Sequence, residues 1–98
     1  KTLNPQSPEA KVGIARCYAA QKKDEPAQIE IIEALQHAPG FVPARFLWGE
    51  ILMRENRWDE AGGQFLQVLQ QKPDDLAARG NLGTCLQMMG QSEAAIGQ

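Results

Sequence analysis

The feature that most constrains this sequence is an internal repeat. Pro5, Pro39 and Pro73 stand at equal intervals along the chain. The same interval relates residues of similar size elsewhere: Ala10, Ala44 and Ala78; Ile14, Trp48 and Leu82; Ala15, Gly49 and Gly83; Tyr18, Leu52 and Leu86; Ala27, Ala61 and Ala95. A period of about 20 to 50 residues, within which this interval falls, is typical of proteins that stack one supersecondary unit repeatedly.

Within each unit the apolar residues have the spacing of amphipathic helices. Two stripes of the second unit share this spacing: Ala44, Trp48, Ile51 and Leu52, then Ala61, Phe65, Val68 and Leu69. The pattern predicts helices over residues 8–21, 25–38, 43–55, 59–71 and 77–89. It also predicts a turn at Gly90 and a sixth helix from Glu93. Asp59 is the expected N-cap of the fourth helix, with Glu60 in its first turn.

The chain has nine glycines and six prolines, residues that disfavour helices and so argue at first against an all-helical fold. Most of them fit that fold once their positions within the repeat are considered. Pro5, Pro39 and Pro73 then mark unit ends, and the other three prolines fall in first helical turns, where proline is tolerated: Pro8, Pro26 and Pro43. Gly49 and Gly83 permit two helices to cross closely. Five glycines stay inside predicted helices, at about 1 kcal/mol each relative to alanine: Gly13, Gly62, Gly63, Gly80 and Gly97.

The units resemble the tetratricopeptide repeat, a 34-residue helical hairpin. The second unit carries the resemblance best, through Trp48, Gly49, Leu52, Ala61, Phe65 and Pro73. The third unit opens with Asn81, Leu82 and Gly83, whereas the first has Ile14 and Ala15 where the family has Leu and Gly. The resemblance implies an all-α fold, an α-solenoid of antiparallel helix hairpins in a right-handed superhelical stack.

The frame of the repeat predicts one domain over residues 1–98. Residues 1–7 are expected to be the tail of a preceding repeat, followed by repeats over 8–41 and 42–75 and a truncated repeat over 76–98. Because the sequence starts at Lys1, we expect it to be a piece of a longer protein. Self-association of this piece, or fraying of residues 91–98, is a further expectation.

Phe46 and Met53 lie nearly opposite the packed stripe of their helix, where exposed apolar side chains often mark a binding surface. In tetratricopeptide arrays this face of each first helix lines a concave groove, so the resemblance implies a groove here. Its lining would be Val12, Arg16, Ala19, Phe46, Leu47, Glu50, Met53, Asn81, Thr84 and Gln87. The alternative is that Phe46 and Met53 pack against a neighbouring helix.

Two known groove specificities of the family do not fit the sequence. The clamp for acidic chaperone tails needs Lys, Asn and Arg residues, but the matching positions hold Val12, Arg16, Leu47, Ala77 and Asn81. The asparagine ladder of glycosyltransferase-linked arrays would need Asn at Gly13 and Leu47. An extended peptide or an amphipathic helix with apolar anchors is therefore the expected ligand.

The polar and sulfur-containing residues predict no catalytic, metal or cofactor site. Cys17 and Cys85 are two units apart, too far for a disulfide, and both are expected to be small core residues. His37 is expected to be solvated at a helix C-terminus. The pair Glu30 and Glu33 and the pair Asp74 and Asp75 are expected on the solvated surface, the latter suiting the positive end of the next helix.

Composition narrows the remaining function classes. Lys and Arg number 10 against 12 Asp and Glu, a balance that argues against nucleic-acid binding. No run of about 18 apolar residues exists, so no membrane insertion is expected. The leading hypothesis is a non-catalytic protein-interaction scaffold that is soluble and cytoplasmic rather than periplasmic. The alternatives are the non-catalytic arm of a glycosyltransferase or methyltransferase, and a structural array in envelope or secretion machinery.

Overall fold

The computed structural model describes residues 7–97, with the side chains of residues 7–90. Over that range the chain forms five helices and no strand: α1 (Pro8–Ala20), α2 (Asp24–His37), α3 (Val42–Arg54), α4 (Trp58–Gln71) and α5 (Leu76–Gly97). The all-helical prediction is confirmed, and the first four helices follow the predicted bounds closely. The expected tail of a preceding repeat lies almost wholly outside the described residues.

Side-chain caps mark the start of α1 and of α5. Ser7 Oγ accepts the amide of Ala10 at 3.2 Å, and a proline follows at the first helical position. At α5, a carboxylate oxygen of Asp75 accepts the amide of Ala78 at 2.9 Å. The expectation that Asp74 and Asp75 suit this helix end is thus confirmed for Asp75.

The prediction of Asp59 as an N-cap is wrong. Helix α4 begins one residue earlier, at Trp58, and Arg57 is its N-cap without a side-chain capping bond. Asp59 lies inside the first turn, where its carboxylate accepts the amide of Glu60 at 2.8 Å. A carboxylate in the first turn still favours the helix through the dipole, and Glu60 in turn holds the Arg57 guanidinium through two hydrogen bonds.

The turns within the two hairpins share one backbone conformation. Lys22 and Asn56, which occupy the same position of successive units, have φ values of 65° and 63°. In each turn the next amide bonds back to the helix, Lys23 to the Tyr18 carbonyl at 2.8 Å and Arg57 to the Leu52 carbonyl at 2.9 Å. This is the Schellman arrangement of a helix end, so the period of the sequence is also a period of the backbone.

Two prolines end the second helix of their hairpins, as predicted. Helix α2 stops at His37 and α4 stops at Gln71, each followed by one residue with non-helical backbone and then Pro39 or Pro73. A proline disfavours helical backbone in the residue before it, which explains why both helices end at the same repeat position. His37 is exposed in the last turn of α2, as expected.

The third unit departs from the prediction at Gly90. Helix α5 is continuous over Leu76–Gly97, so the predicted turn and the separate sixth helix from Glu93 are wrong. Gly90 stands one full repeat after Asn56 but does not adopt a positive φ. Continuing α5 through Gly90 adds one backbone hydrogen bond per residue, and glycine permits a turn without requiring one.

The chain divides into two compact units, residues 1–48 and 49–98, each with its own buried side chains. The first unit buries Val12, Ala15, Ala19, Ala27, Ile31, Ala34, Leu35, Ala44 and Leu47. The second buries Ile51, Leu52, Ala61, Phe65, Val68, Ala78 and Cys85. Most predicted stripe residues are therefore core residues.

The expectation that both cysteines are buried is wrong for Cys17. Cys85 is fully buried, whereas Cys17 is exposed. Cys17 is therefore accessible although Ile51 and Cys85, at the same position of the later units, are buried. Separately, no helix within residues 7–97 has the length and apolar character that crossing a membrane requires.

Candidate partner-binding surface

A small pocket in the first unit includes two of the predicted groove residues. Glu9, Val12 and Arg16 of α1 line it together with Phe41 and Pro43 at the start of α3, and its volume is about 160 Å³. Their spacing of three and four residues puts the α1 members on one helix face. Because small-molecule sites enclose roughly 300–1,000 Å³, this pocket is sized for a single side chain.

The turn between α2 and α3 fixes the far wall of the pocket. The amide of Phe41 donates to the Ala38 carbonyl at 3.0 Å, and the guanidinium of Arg45 donates to the Pro39 carbonyl at 3.1 Å. The indole N–H of Trp48 donates to the Gln28 side chain at 3.3 Å, which ties α3 to α2 in this unit. The wall is therefore held by backbone and side-chain bonds on two helices.

The pocket combines an apolar lining with two side chains of opposite charge. Val12 is 3% exposed and lines it as part of the core, and Phe41 and Pro43 are half-buried. Arg16 and Glu9 are exposed, so their charged groups remain accessible to a ligand. This combination suits one apolar side chain of a peptide whose neighbouring polar groups meet the guanidinium and the carboxylate.

The other predicted groove residues of the first unit are more buried than a groove lining requires. Ala19 and Leu47 are each 7% exposed, so they offer little surface to a partner. Phe46 is half-buried. Of the five residues predicted here, the structure brings Val12 and Arg16 into one pocket and places the other three outside its lining.

The predicted groove residues of the second unit are mostly accessible. Glu50, Thr84 and Gln87 are exposed, and Met53 and Asn81 are half-buried. The Thr84 hydroxyl donates to the Gly80 carbonyl at 3.1 Å within α5, so part of its hydrogen-bonding capacity is used inside the helix. The pocket described in this unit lies elsewhere, in the turn over residues 71–75.

The sequence prediction missed three residues of the first-unit pocket. Glu9 lies in the first turn of α1, and Phe41 and Pro43 lie at a unit boundary, whereas the prediction considered only the groove face of first helices. A usable signal was present, because Phe41, Val42 and Pro43 form an apolar cluster at a turn. Apolar residues in a surface turn need a partner to cover them, and α1 supplies part of one here.

Glu30 and Glu33 are not simply solvated, contrary to the prediction. They flank the ammonium of Lys11, whose side chain is 7% exposed: the Nζ atom lies 2.8 Å from Glu33 Oε1 and 3.7 Å from Glu30 Oε1. The hydrogen bond to Glu33 raises the pKa of Lys11 above its ordinary value, against the opposing effect of desolvation. The cluster therefore joins α1 to α2.

The described residues also limit what chemistry this surface offers. Within the part of the chain whose side chains are placed, no group of three or more His, Cys, Asp or Glu residues could hold a metal ion. Burial raises the pKa of the Cys85 thiol, which lowers the fraction of reactive thiolate. His37, Cys17 and Cys85 lie on different helices.

Comparison with known proteins supports the fold. The sequence matches no protein-family model and no curated protein. Among solved structures, the C-terminal tetratricopeptide-repeat-containing domain of a Plasmodium falciparum FK506-binding protein is similar, with a TM-score of 0.78 and 18% identity. The match covers 89% of this chain and 58% of that one. With the all-helical structure, this likeness confirms the predicted fold class: the chain has the fold of a tetratricopeptide-repeat domain.

Proposed function

We propose that this chain is a non-catalytic protein-interaction module that binds a peptide or partner helix and anchors one apolar side chain of it in the first-unit pocket. The repeat fold supports this general role. The observation that carries the proposal is the pocket itself, because apolar walls beside an accessible guanidinium and carboxylate recognise peptides better than small apolar ligands.

The ligand class follows from the lining. The volume of about 160 Å³ admits one aliphatic or aromatic side chain. Arg16 is placed to pair with a carboxylate of the partner, and Glu9 with a cation or a backbone amide. The expected ligand is therefore a segment with one apolar anchor and an acidic neighbour. The predicted groove positions of the second unit, Glu50, Met53, Asn81, Thr84 and Gln87, would add further contacts.

Selection from a phage-displayed library of random peptides tests this function. Clones selected on the wild-type chain should bind the Arg16→Ala variant about tenfold or more weakly, because a charge-assisted hydrogen bond is lost. The matched control is Arg57→Ala, which removes an exposed arginine of the other unit whose guanidinium is paired with Glu60, and it should leave the affinity unchanged. Clones selected on the Phe41→Ala variant should show a weaker preference for an apolar residue at the anchor position than clones selected on the wild-type chain.

Two results would contradict the proposal. One is selected clones that bind Arg16→Ala, Phe41→Ala and wild type equally well while circular dichroism shows all three folded. The other is a library that yields no binder above background.

A second candidate is that the module is one part of a larger protein with another principal activity. The similar solved structure is described as the C-terminal domain of an FK506-binding protein, so this fold occurs there as an attached domain. The reading frame around the chain decides between an attached module and an independent one, because a neighbouring domain with its own motif would be visible in the sequence.

A further inference from the structure

The two charged residues of the first-unit pocket lie at opposite ends of its α1 wall. Glu9 is in the first turn of α1, and Arg16 follows it two turns later. Seven residues advance a helix by about 10 Å and return a side chain to within about 20° of the same face. Val12 lies between their levels, about 4.5 Å from Glu9 and about 6 Å from Arg16 along the helix axis. A negative and a positive charge therefore flank the apolar floor of the pocket.

Neither charge is neutralised within the described part of the chain. Glu9 and Arg16 are exposed, and neither side chain forms a hydrogen bond or an ion pair with another residue of the range 7–90. Lys11 of the same helix differs, because its ammonium lies 2.8 Å from Glu33 and is nearly inaccessible. The other lining residues are uncharged: Val12, Phe41 and Pro43. A ligand in the pocket therefore meets an anion at one end and a cation at the other.

We propose, on the basis of the function proposed above, that Glu9 and Arg16 fix the direction in which a peptide crosses this pocket. Its cationic residue lies at Glu9, its apolar anchor beside Val12 and its acidic residue at Arg16. The occupant is an extended segment of a protein partner. An amphipathic helix docks through several apolar anchors one turn apart, whereas a pocket of about 160 Å³ admits one side chain.

The spacing of the two charges specifies the order of residues in that segment. Alternate side chains of an extended chain point to the same side and lie about 6.6 Å apart. The residues two before and two after the anchor therefore reach the levels of Glu9 and Arg16. Reversing the order of the two charges in the segment also reverses the direction in which it binds, because the opposite direction places like charges together at both ends. Since exposed ion pairs are individually weak, the preference for one direction is expected to be about tenfold.

Two capped peptides of about seven residues, too short to form a stable helix in water, are the probes for this direction. The first carries lysine, leucine and glutamate at alternate positions with alanine between them, and the second has the lysine and the glutamate exchanged. Each peptide carries a nitroxide amino acid at the end nearer its lysine. Added to the ¹⁵N-labelled chain, both should broaden the amide resonances around Glu9 more strongly than those around Arg16, although the two peptides run in opposite directions.

Exchange of the two charges on the chain should reverse the bound peptides. In the double variant Glu9→Arg with Arg16→Glu, the strongest broadening by each peptide should move from the first turn of α1 to the amides two turns later. The matched control is Arg57→Glu with Glu60→Arg, which exchanges an exposed ion pair of the other unit and should leave the broadening around Glu9. Both double variants keep the net charge of the chain, and circular dichroism checks that both are folded.

Like-charged peptides test the same proposal on the wild-type chain alone. A peptide whose leucine is flanked by two lysines, or by two glutamates, loses one ion pair and meets a like charge in its place. Each should bind about threefold more weakly than the two oppositely charged probes. Titration of the ¹⁵N-labelled chain, followed at the amides of α1, measures all four affinities.

Three results would overturn the proposal. One is that the two probes broaden opposite ends of α1, or both ends equally, since the charges would then not set the direction. Another is broadening that stays in the first turn of α1 when the charges of a folded double variant are exchanged. The third is equal binding of the like-charged peptides. Failure of the proposed function has a different signature, because no peptide would then shift any resonance of the pocket residues, and that result would overturn both.

Discussion

The two hairpins solve the same packing problem with different residues. Where the second hairpin places Gly49 under Phe65, the first has Ala15 and Ile31 at the same repeat positions, and all four residues are buried. The first hairpin thus has alanine in place of the smaller glycine, and isoleucine in place of the larger phenylalanine. The comparison teaches that the repeat specifies the space available at a helix crossing, while each hairpin divides that space between its two helices in its own way.

The hairpins also differ in how their ion pairs contribute to stability. In the first, the ammonium of Lys11 is nearly inaccessible and joins α1 to α2 through Glu30 and Glu33. In the second, the ion pairs of Arg57 are exposed and close within one turn of the chain, so they contribute little to stability. The first hairpin therefore combines a polar junction with small core residues, and the second depends on one aromatic ring.

The largest expected effect tests that dependence on the ring. Phe65→Ala should destabilise the chain by about 3–5 kcal/mol, because it removes a fully buried ring and leaves a cavity beside Gly49. Ile31→Ala, at the same repeat position of the first hairpin, should cost about 2–5 kcal/mol. Urea unfolding followed by circular dichroism measures both.

Leu86→Ala is the control for loss of a large apolar side chain, and it should change stability little because Leu86 is largely exposed. The comparison between hairpins fails if Phe65→Ala is no more damaging than Leu86→Ala. A much larger loss for Ile31→Ala than for Phe65→Ala would place the principal packing site in the first hairpin instead.

The next effect is a reversal of sign between two glycines at the same repeat position. Gly49→Ala should destabilise the chain by about 1–3 kcal/mol, because the added Cβ collides with the Phe65 ring. Gly83→Ala should stabilise it by up to about 1 kcal/mol, because no described atom is near and alanine favours the helix. The urea midpoints of both variants, compared with wild type, give the two signs.

Phe65→Leu added to Gly49→Ala should recover part of the loss, since the pair then resembles Ala15 and Ile31 of the first hairpin. Additive losses in the double variant would show that the two residues do not share one space. An equal change of stability at Gly49 and Gly83 would remove the distinction between a covered and an open helix face.

These cases show how much of the fold the sequence could predict. The period predicted helix bounds well because proline, helical spacing and apolar stripes are local signals, and they recur at Pro39 and Pro73. It could not predict that α5 continues through Gly90, because glycine permits a turn without requiring one. The outcome there depends on how much apolar surface the following residues can bury.

The candidate site was predictable only in part for a similar reason. The family resemblance implied that Val12 and Arg16 share a groove lining, and the structure brings them into one pocket. The remaining wall, at Phe41 and Pro43, comes from a turn whose path is set by tertiary hydrogen bonds. Equally, the spacing of Glu30 and Glu33 could not predict their ion pairs with Lys11, because those contacts join two different helices.

The smallest expected effect is a difference between the two hairpins in how their stability depends on pH. Because the folded pKa of Lys11 is raised above its ordinary value of 10.5, its ion pairs stabilise the fold fully below that value and are lost as pH rises through the folded pKa. The pKa of Arg57 is raised as well, chiefly by its hydrogen bond to Glu60, but arginine stays charged throughout this range. Urea midpoints measured from about pH 9 to about pH 11.5 should fall for wild type. They should fall less for Lys11→Met, which has no ammonium to lose, and as much as wild type for Arg57→Met. If the midpoints of all three proteins fall equally, the ion pairs of Lys11 contribute no more to stability than the exposed ion pairs of Arg57 do.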